Sequence, residues 1–578
     1  MKPIKKTFAI TAFVLSAFFV FVDNSFAGTY YVAANGSATW ANCEETAATP
    51  GPKSDNAACS FVTANQYAKA GDTVYYRGGS YTISRNAIDP ANTGTAGNRI
   101  TFAAYGDEVV EFVNTSTSTS IYAVNLNSDY GTVRSHITVK GIKFTNFNRH
   151  LWILRGQYNE VSHCSFIGTA ADGGDVGWRG STIYRSAKYN HIHHNVFKLY
   201  GSYEGGNDHG TLFELGIDNQ NDDNSSYNII ENNILSGGGH HVLGVHGNHN
   251  VVKNNYFHNE SWWPISSPQY GNRIIYFTGG PSVGYRNLVE GNRVAYGGET
   301  SETNQIGGAG GTIGSPYNII RRNVFYKTLI YGLWFYKYSF AGGGHDNKVY
   351  NNTFWSNAYT TSGPTKSNWT PYFQTTIFVD EKNTVNVNND FINNIFYQNN
   401  NYCDSAKPIT QTYDNGWCKE PDTGTLANNW IGEVAGDPKF NNISGTPDPN
   451  NKDQFDFSLQ PNSGAIDGGG YLTKITSATG SGTTFQVADA GSFFDGWGLT
   501  SHPTASVEPD RIQLEGQDLA AKIVKVDYST NTITVDTNLS WASGQGVTLA
   551  FKGSAPDIGA HEHVYSVPVP EILEATIK

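Results

Sequence analysis

A short phrase of polar and apolar positions recurs along the chain. It reads Asn, any residue, a branched apolar residue, two residues, Asn, any residue, then Phe or another apolar residue. Copies stand at 190–197 (NHIHHNVF), 228–235 (NIIENNIL), 250–257 (NVVKNNYF), 287–294 (NLVEGNRV), 318–325 (NIIRRNVF), 347–354 (NKVYNNTF) and 389–396 (NDFINNIF). Two degenerate copies precede them, near 137–144 and 159–166. The full copies start 22 to 42 residues apart, the interval of a solenoid in which each coil adds one layer to a continuous core. The phrase predicts a short strand, a tight turn and a second short strand on every coil. One inward column would be Val139, Val161, Ile192, Ile230, Val252, Val289, Ile320, Val349 and Phe391. A second would be Phe144, Phe166, Phe197, Leu235, Phe257, Val294, Phe325, Phe354 and Phe396. The second Asn is expected in the turn, where Asn tolerates a left-handed backbone, with its amide bonded to the Asn of the next coil. Cys164 holds that place in an early copy and reads as a buried ladder residue rather than a nucleophile.

A third strand precedes each phrase: STIYRSA, TLFELGI, HVLGVHG, RIIYFTG and GTIGSPY are examples. Side chains alternate across a strand. Taking Ile183, Phe213, Leu243, Ile275 and Ile313 as inward puts Tyr184, Glu214, Gly244 and Tyr276 outward, with His246 outward two residues later. Long insertions at 168–180, 200–210, 259–272 and 297–310 would wall this face.

Composition agrees with an all-β chain. Charged residues are 15%, aromatics 13% and Gly 63 of 578, against ~25% charged and ~7% Gly in ordinary proteins. Lys2, Lys5 and Lys6, the apolar run from Phe8 to Val22 and Ser25-Phe26-Ala27 read as a signal peptide over 1–27. The expectation is a secreted protein without a membrane span. Removing its three lysines and one aspartate takes the formal charge from −12 to −14, which disfavours nucleic acid as a partner. Cys43 with Cys59 and Cys403 with Cys418 are each expected to form a local disulfide.

The phrases together resemble the right-handed parallel β-helix of the pectin-lyase-like superfamily. TYYVAANGS at 29–37, AGDTVYYRGGSYT at 70–82 and NRITFAAYGDE at 98–108 look like its first coils and N-terminal cap. DFSLQPNSGAIDGG at 456–469 and APDIGAHEH at 555–563 look like its final coils. The resemblance implies a β-helix over 28–470 and a last strand and tail at 554–578. Between them, 471–553 alternates around YSTNTI and predicts a small inserted antiparallel β-module, read either as a cap that blunts the solenoid edge or as a carbohydrate-binding module. GHHVLGVHGNHNVVKNNYFHN at 239–259 is similar to a stretch of the chondroitinase B and alginate lyase family, with His246-Gly247 at its His-Gly. Val245 stands where that family has its catalytic Arg, and no Lys matches its catalytic Lys. Glu214 matches one of its calcium-binding acids.

These residues point to an exported enzyme acting on a polysaccharide, expected as a monomer. The favoured chemistry is β-elimination on a uronate polymer. Glu214, His241, His246, Arg185 and Tyr276 are the candidate catalytic residues. His241 or His246 would be the base, Arg185 or a Ca²⁺ near Glu214 would neutralise the uronate, and Tyr276 would protonate the leaving oxygen. Tyr184, Trp262, Trp263, Arg273 and His240 are candidate sugar contacts. Glu214, Asp208 and Asp218 are candidate Ca²⁺ ligands. A glycoside hydrolase, with Glu214 and Asp208 or Asp218 as its carboxyl pair, and a non-catalytic glycan-binding surface protein are the alternatives.

Overall fold

The computed structural model describes residues 27–43, 58–118, 120–127, 133–169, 179–200, 211–216, 225–238, 241–259, 273–277, 285–297, 309–328, 331–335, 343–357, 373–379, 388–399, 402–403, 417–418 and 424–563. The proposed signal peptide lies outside them, apart from Ala27. Three large sheets run the length of the solenoid, with thirteen, twelve and eleven strands among the described residues. Neighbouring strands within each are parallel and come from successive coils, apart from the antiparallel end strand Tyr402–Cys403. The chain is a parallel β-helix.

Both inward columns hold in register. Val161 pairs with Val139 and Ile192, and Val252 with Ile230 and Val289, while Phe166 pairs with Phe144 and Phe197. All are buried in one continuous core. Phe rings stack coil on coil, as between Phe166 and Phe197 at 4.7 Å and Phe354 and Phe396 at 5.0 Å.

The asparagines form two ladders. In the expected one, Asn195, Asn233, Asn255, Asn292, Asn323, Asn352 and Asn394 each give a backbone N–H to the next Oδ1 at 2.9–3.0 Å. Buried Cys164 extends it, its N–H donating to Asn195 Oδ1. The first Asn of each phrase builds a second, unforeseen ladder through Asn159, Asn190, Asn228, Asn250, Asn287, Asn318, Asn347 and Asn389. The left-handed residue is not the ladder Asn, as expected, but the one before it. Tyr189, Tyr227, His249, Arg286 and Tyr317 precede one ladder, and His194, Asn232, Asn254 and Arg322 the other, all at φ of 54–61°. That bend turns the following N–H and amide inward, where burial makes their pairing obligatory.

Ends and flanks differ from expectation. The helix Phe61–Tyr67, capped by Ser60 Oγ accepting from Thr63 N–H at 3.1 Å, sits at the N-terminal end beside the Cys43–Cys59 disulfide, which is the expected one. The side chains of Cys403 and Cys418 lie outside the described residues. The parallel coils end at Leu426–Ala427 and Trp430–Ile431. Asp456–Leu459 is not a further coil; it pairs antiparallel with Phe440–Asn442 and packs its Phe457 on Tyr326 and Trp355. Residues 555–563 form no strand, and Gly559 N–H bonds Asn393 O. The hairpin of Ala520–Asp527 and Thr532–Trp541 is present in a six-stranded antiparallel module. The module does not blunt the solenoid edge. It lies along the outer face of the first sheet, packed on Ile229, Val251, Leu288 and Ile319, because that face carries an apolar column needing cover. Arg321 fastens it, bidentate to Asp510 at 2.7 Å while also paired with Glu290. Among the described residues no helix is long and apolar enough to cross a membrane.

One core residue carries a pH prediction. His150 is fully buried against Phe166 and Phe197, and burial holds its imidazole down at about 3, offset only slightly by the Phe147 carbonyl. A base depressed in the fold stabilises fully above its unfolded pKa and loses that stability as pH falls. Wild type should lose ~2–3 kcal/mol from this residue between about pH 6.5 and 4.5, at ~1.4 kcal/mol per pH unit. His150→Leu should show a pH–stability slope shallower by about one proton over that window. An unchanged slope in urea melts would remove His150 as the cause.

Candidate functional site

Glu214 lies on Thr211–Leu215 of the third sheet, and His241 lies on His241–Val245 of the next coil, with His246 directly after it. Phe213 pairs with Leu243 and Glu214 with Gly244. Two consecutive residues of each strand, Leu212 and Phe213, then Val242 and Leu243, are buried in the apolar core. That break in strict alternation leaves His241 and Gly244 on the outer side with Glu214, where His246, two residues after Gly244, joins them.

Glu214 bridges both rings. Nε2 of His241 donates to Oε1 at 2.9 Å and Nε2 of His246 donates to Oε2 at 2.7 Å. An ionised carboxylate only accepts, so each Nε2 carries a proton, and Nδ1 is the basic atom whenever the ring is neutral. All three side chains are buried, with Glu214 and His241 at 3% and His246 at 2% exposure. Outward from the solenoid is therefore not exposed. Burial alone would raise the Glu214 carboxyl. The charges and hydrogen bonds of His241 and His246 outweigh it and hold the carboxyl well below the usual range.

Gly244 makes the room. A Cβ there would stand 2.3 Å from Glu214 Oε2 and 2.5 Å from His241 Nε2. Gly216, at φ 84°, likewise lies against His246. Gly244→Ala is therefore expected to push Glu214 off the histidines and cut activity as deeply as loss of Glu214 itself. Gly244→Ala with full activity, checked by turnover and by histidine NMR shifts, would dissolve the cluster's role. A glycine inside a strand was the available sequence signal for this cradle.

The other candidates are placed unevenly. Ile183 is inward as expected, but it pairs with Leu215, while Phe213 pairs with Ser181 and Glu214 with Thr182. Ile313 likewise aligns with Phe277, not Ile275. A two-residue slip keeps every side chain on its face, so alternation cannot detect it. Tyr184 packs edge-on against Trp152 at 5.3 Å, with the Arg185 guanidinium 5.4 Å over its ring, one coil before Glu214. Tyr276 pairs with Gly244 and Arg273 with His241 in the following coil, though their side chains lie outside the described residues. Trp262, Trp263, His240, Asp208 and Asp218 also lie outside them. His191 and His193 serve the first sheet, bonded to Glu231 and Glu160.

Of the expected Ca²⁺ ligands Glu214, Asp208 and Asp218, the two aspartates lie outside the described residues, and the Glu214–His241–His246 cluster by itself does not suit calcium. Calcium takes six to eight oxygen ligands. Here two imidazole nitrogens accompany the single carboxylate, and both its oxygens are committed to them.

No protein-family model matches the chain, and no curated protein matches it. Among solved structures, a pectate lyase, Pel9A, aligns at 14% identity and TM-score 0.46, covering 93% of this chain and 97% of its own. An alginate lyase from Paenibacillus sp. str. FPU-7 aligns at 15% and 0.35, over 49% and 94%. The catalytic domain of a GH87 alpha-1,3-glucanase aligns at 12% and 0.35, over 62% and 64%. At such identities the likeness is one of architecture.

Proposed function

We propose that this protein is a secreted polysaccharide lyase whose reaction centre is the Glu214–His241–His246 cluster. The observation that carries the reading is the buried carboxylate held between two imidazole Nε2 atoms on the outer side of the third sheet. A carboxylate that fixes the tautomer of a histidine and stabilises its protonated form makes it an effective base. On a uronate unit, Nδ1 of His241 or His246 takes the C5 proton. The C5–H electron pair becomes the C4=C5 double bond, the C4–O4 bond breaks, and the leaving oxygen takes a proton, here assigned to Tyr276. Arg185, at the end of the neighbouring coil's strand, is assigned to the uronate carboxylate. The hydrolase alternative needs Asp208 or Asp218 as its second carboxyl, and both lie outside the described residues. The test is incubation with polygalacturonate, alginate and glycosaminoglycans, reading the ultraviolet absorbance of new unsaturated ends. Binding without cleavage would favour the glycan-binding alternative.

A second reading has its own observation. The ligand atoms of Glu214, His241 and His246 all lie within 4.8 Å of one another, and an N₂O donor set suits a zinc- or manganese-class ion. Such an ion would supply the positive charge that neutralises a uronate carboxylate. Metal analysis of the purified protein, with thermal shifts on adding Zn²⁺, Mn²⁺ or EDTA, separates the two. No metal and no shift leaves proton transfer by the histidines alone.

A further inference from the structure

We propose that the seam between the C-terminal module and the solenoid is a second binding site, for an anionic, uronate-bearing glycan chain. Its uronate class rests on the reading above; its existence rests on different residues. The left-handed turns before the first sheet stack their side chains into a stripe: Tyr158 on Tyr189 at 4.9 Å, Tyr189 on Tyr227 at 5.2 Å and Tyr227 on His249 at 5.2 Å. Arg286 and Tyr317 continue the column in the next two coils. The module strand Ala520–Asp527 runs beside this stripe. Its residues 522–524 line a cleft of 680 Å³ with Tyr227, His249 and Trp497. Its residues 525–527 line the next, of 560 Å³, with Arg286, Tyr317, Tyr528 and Ser529. Both volumes fall in the ~300–1,000 Å³ range of small-ligand sites.

Arg286 sets the ligand chemistry. Its guanidinium lies 3.8 Å over the Tyr528 ring and 5.3 Å over the Tyr317 ring. Among the described residues it has no ion pair and no side-chain hydrogen bond. Asp489, an acid that feels its charge, is committed to Lys348. Two aromatic faces thus hold a planar fork of donors in place with its hydrogen-bonding edge unspent, which is the geometry that takes a carboxylate bidentately. Exposed Lys525 adds a second positive charge to the same cleft, which Asp527 also lines with its Oδ1 bonded to Ser529 and Thr530. Tyr317, 41% exposed, offers a ring for the apolar face of a sugar. A regularly spaced carboxylate on a sugar backbone meets both demands at once, where a free anion would use only the arginine.

The test is binding to sodium polygalacturonate and sodium alginate by affinity electrophoresis and calorimetry, with a neutral glucan as control. Arg286→Gln and Lys525→Gln, both checked for unchanged melting, are compared with wild type and with Glu214→Gln shown to be folded by circular dichroism. Arg286→Gln is expected to weaken binding to a uronate polymer at least tenfold and Lys525→Gln severalfold, both more in low salt than high. Turnover of short oligosaccharides should stay at the wild-type level in both. Equal binding by Arg286→Gln and wild type, no binding of either polymer by wild type, or equal binding of the neutral glucan would each overturn the site. Failure of the lyase reading shows separately, as absence of unsaturated ends.

Discussion

Glu214→Gln should lower turnover on the cleaved polymer by ~10²–10⁴, the share that a positioned acid–base pair contributes. The amide keeps the shape of the side chain but loses the charge that favours a protonated imidazole. It also presents an NH₂ to one of the two Nε2–H donors, so one ring must turn. His246→Gln should fall in the same range if His246 is the base, and far less if His241 is. The cluster is buried, so these variants also cost stability, ~3–5 kcal/mol when one partner of a buried charged pair is lost. Activity is therefore to be compared on protein shown to be folded by circular dichroism. The acid limit follows from the same carboxyl. Its folded pKa lies well below the ordinary value, so its stabilisation is complete above about pH 4.3 and is lost as pH falls toward the folded value. Glu214→Gln should lack that component of acid unfolding. A folded Glu214→Gln protein with wild-type turnover would place the reaction elsewhere.

Asn255→Leu should destabilise the solenoid by ~3–9 kcal/mol. Asn255 Oδ1 accepts from both the backbone N–H and the side-chain Nδ2 of Asn233, at 3.0 Å each. Its Nδ2 donates to Ile230 O at 2.8 Å and to Asn292 Oδ1 at 3.0 Å. Leucine fills the volume but leaves two donors and one carbonyl unpaired in a dry core, at ~1–3 kcal/mol each. Asn462, exposed on the surface, is the control, and Asn462→Ala should stay within about 0.5 kcal/mol. Asn259 cannot serve that purpose despite its place beside a long insertion. It is fully buried, with Nδ2 bonded to Gly238 O at 2.9 Å. Equal melting shifts for Asn255→Leu and Asn462→Ala would contradict the ladder.

Much of the solenoid was legible because its determinants are local and repeat. A branched apolar residue two places after an Asn can face only inward, and nine copies fix the register of two sheets. The third sheet carries no Asn phrase, and its register slipped by two because Ile183, Phe213 and Leu215 are equally apolar. Glu214, His241 and His246 were legible as residue types gathered on neighbouring coils. Their mutual bonding was not, since it depends on the double-buried pairs Leu212-Phe213 and Val242-Leu243 and on the missing Cβ of Gly244. The lateral seat of the module was hidden for another reason. Ile229, Val251, Leu288 and Ile319 are ordinary strand residues one at a time, and only coil stacking makes them an apolar stripe. Arg286 gave no signal either, because its partners Tyr317 and Tyr528 are far apart in sequence.

The most direct measurement is product analysis by mass spectrometry and ultraviolet absorbance after incubating wild type and Glu214→Gln with the uronate polymers. The account predicts oligosaccharides lighter by one water than hydrolytic products, absorbing as C4=C5 unsaturated uronates, from wild type and nearly none from the variant. Products with saturated ends only, each carrying the added water of hydrolysis, or equal unsaturated product from both proteins, would contradict it.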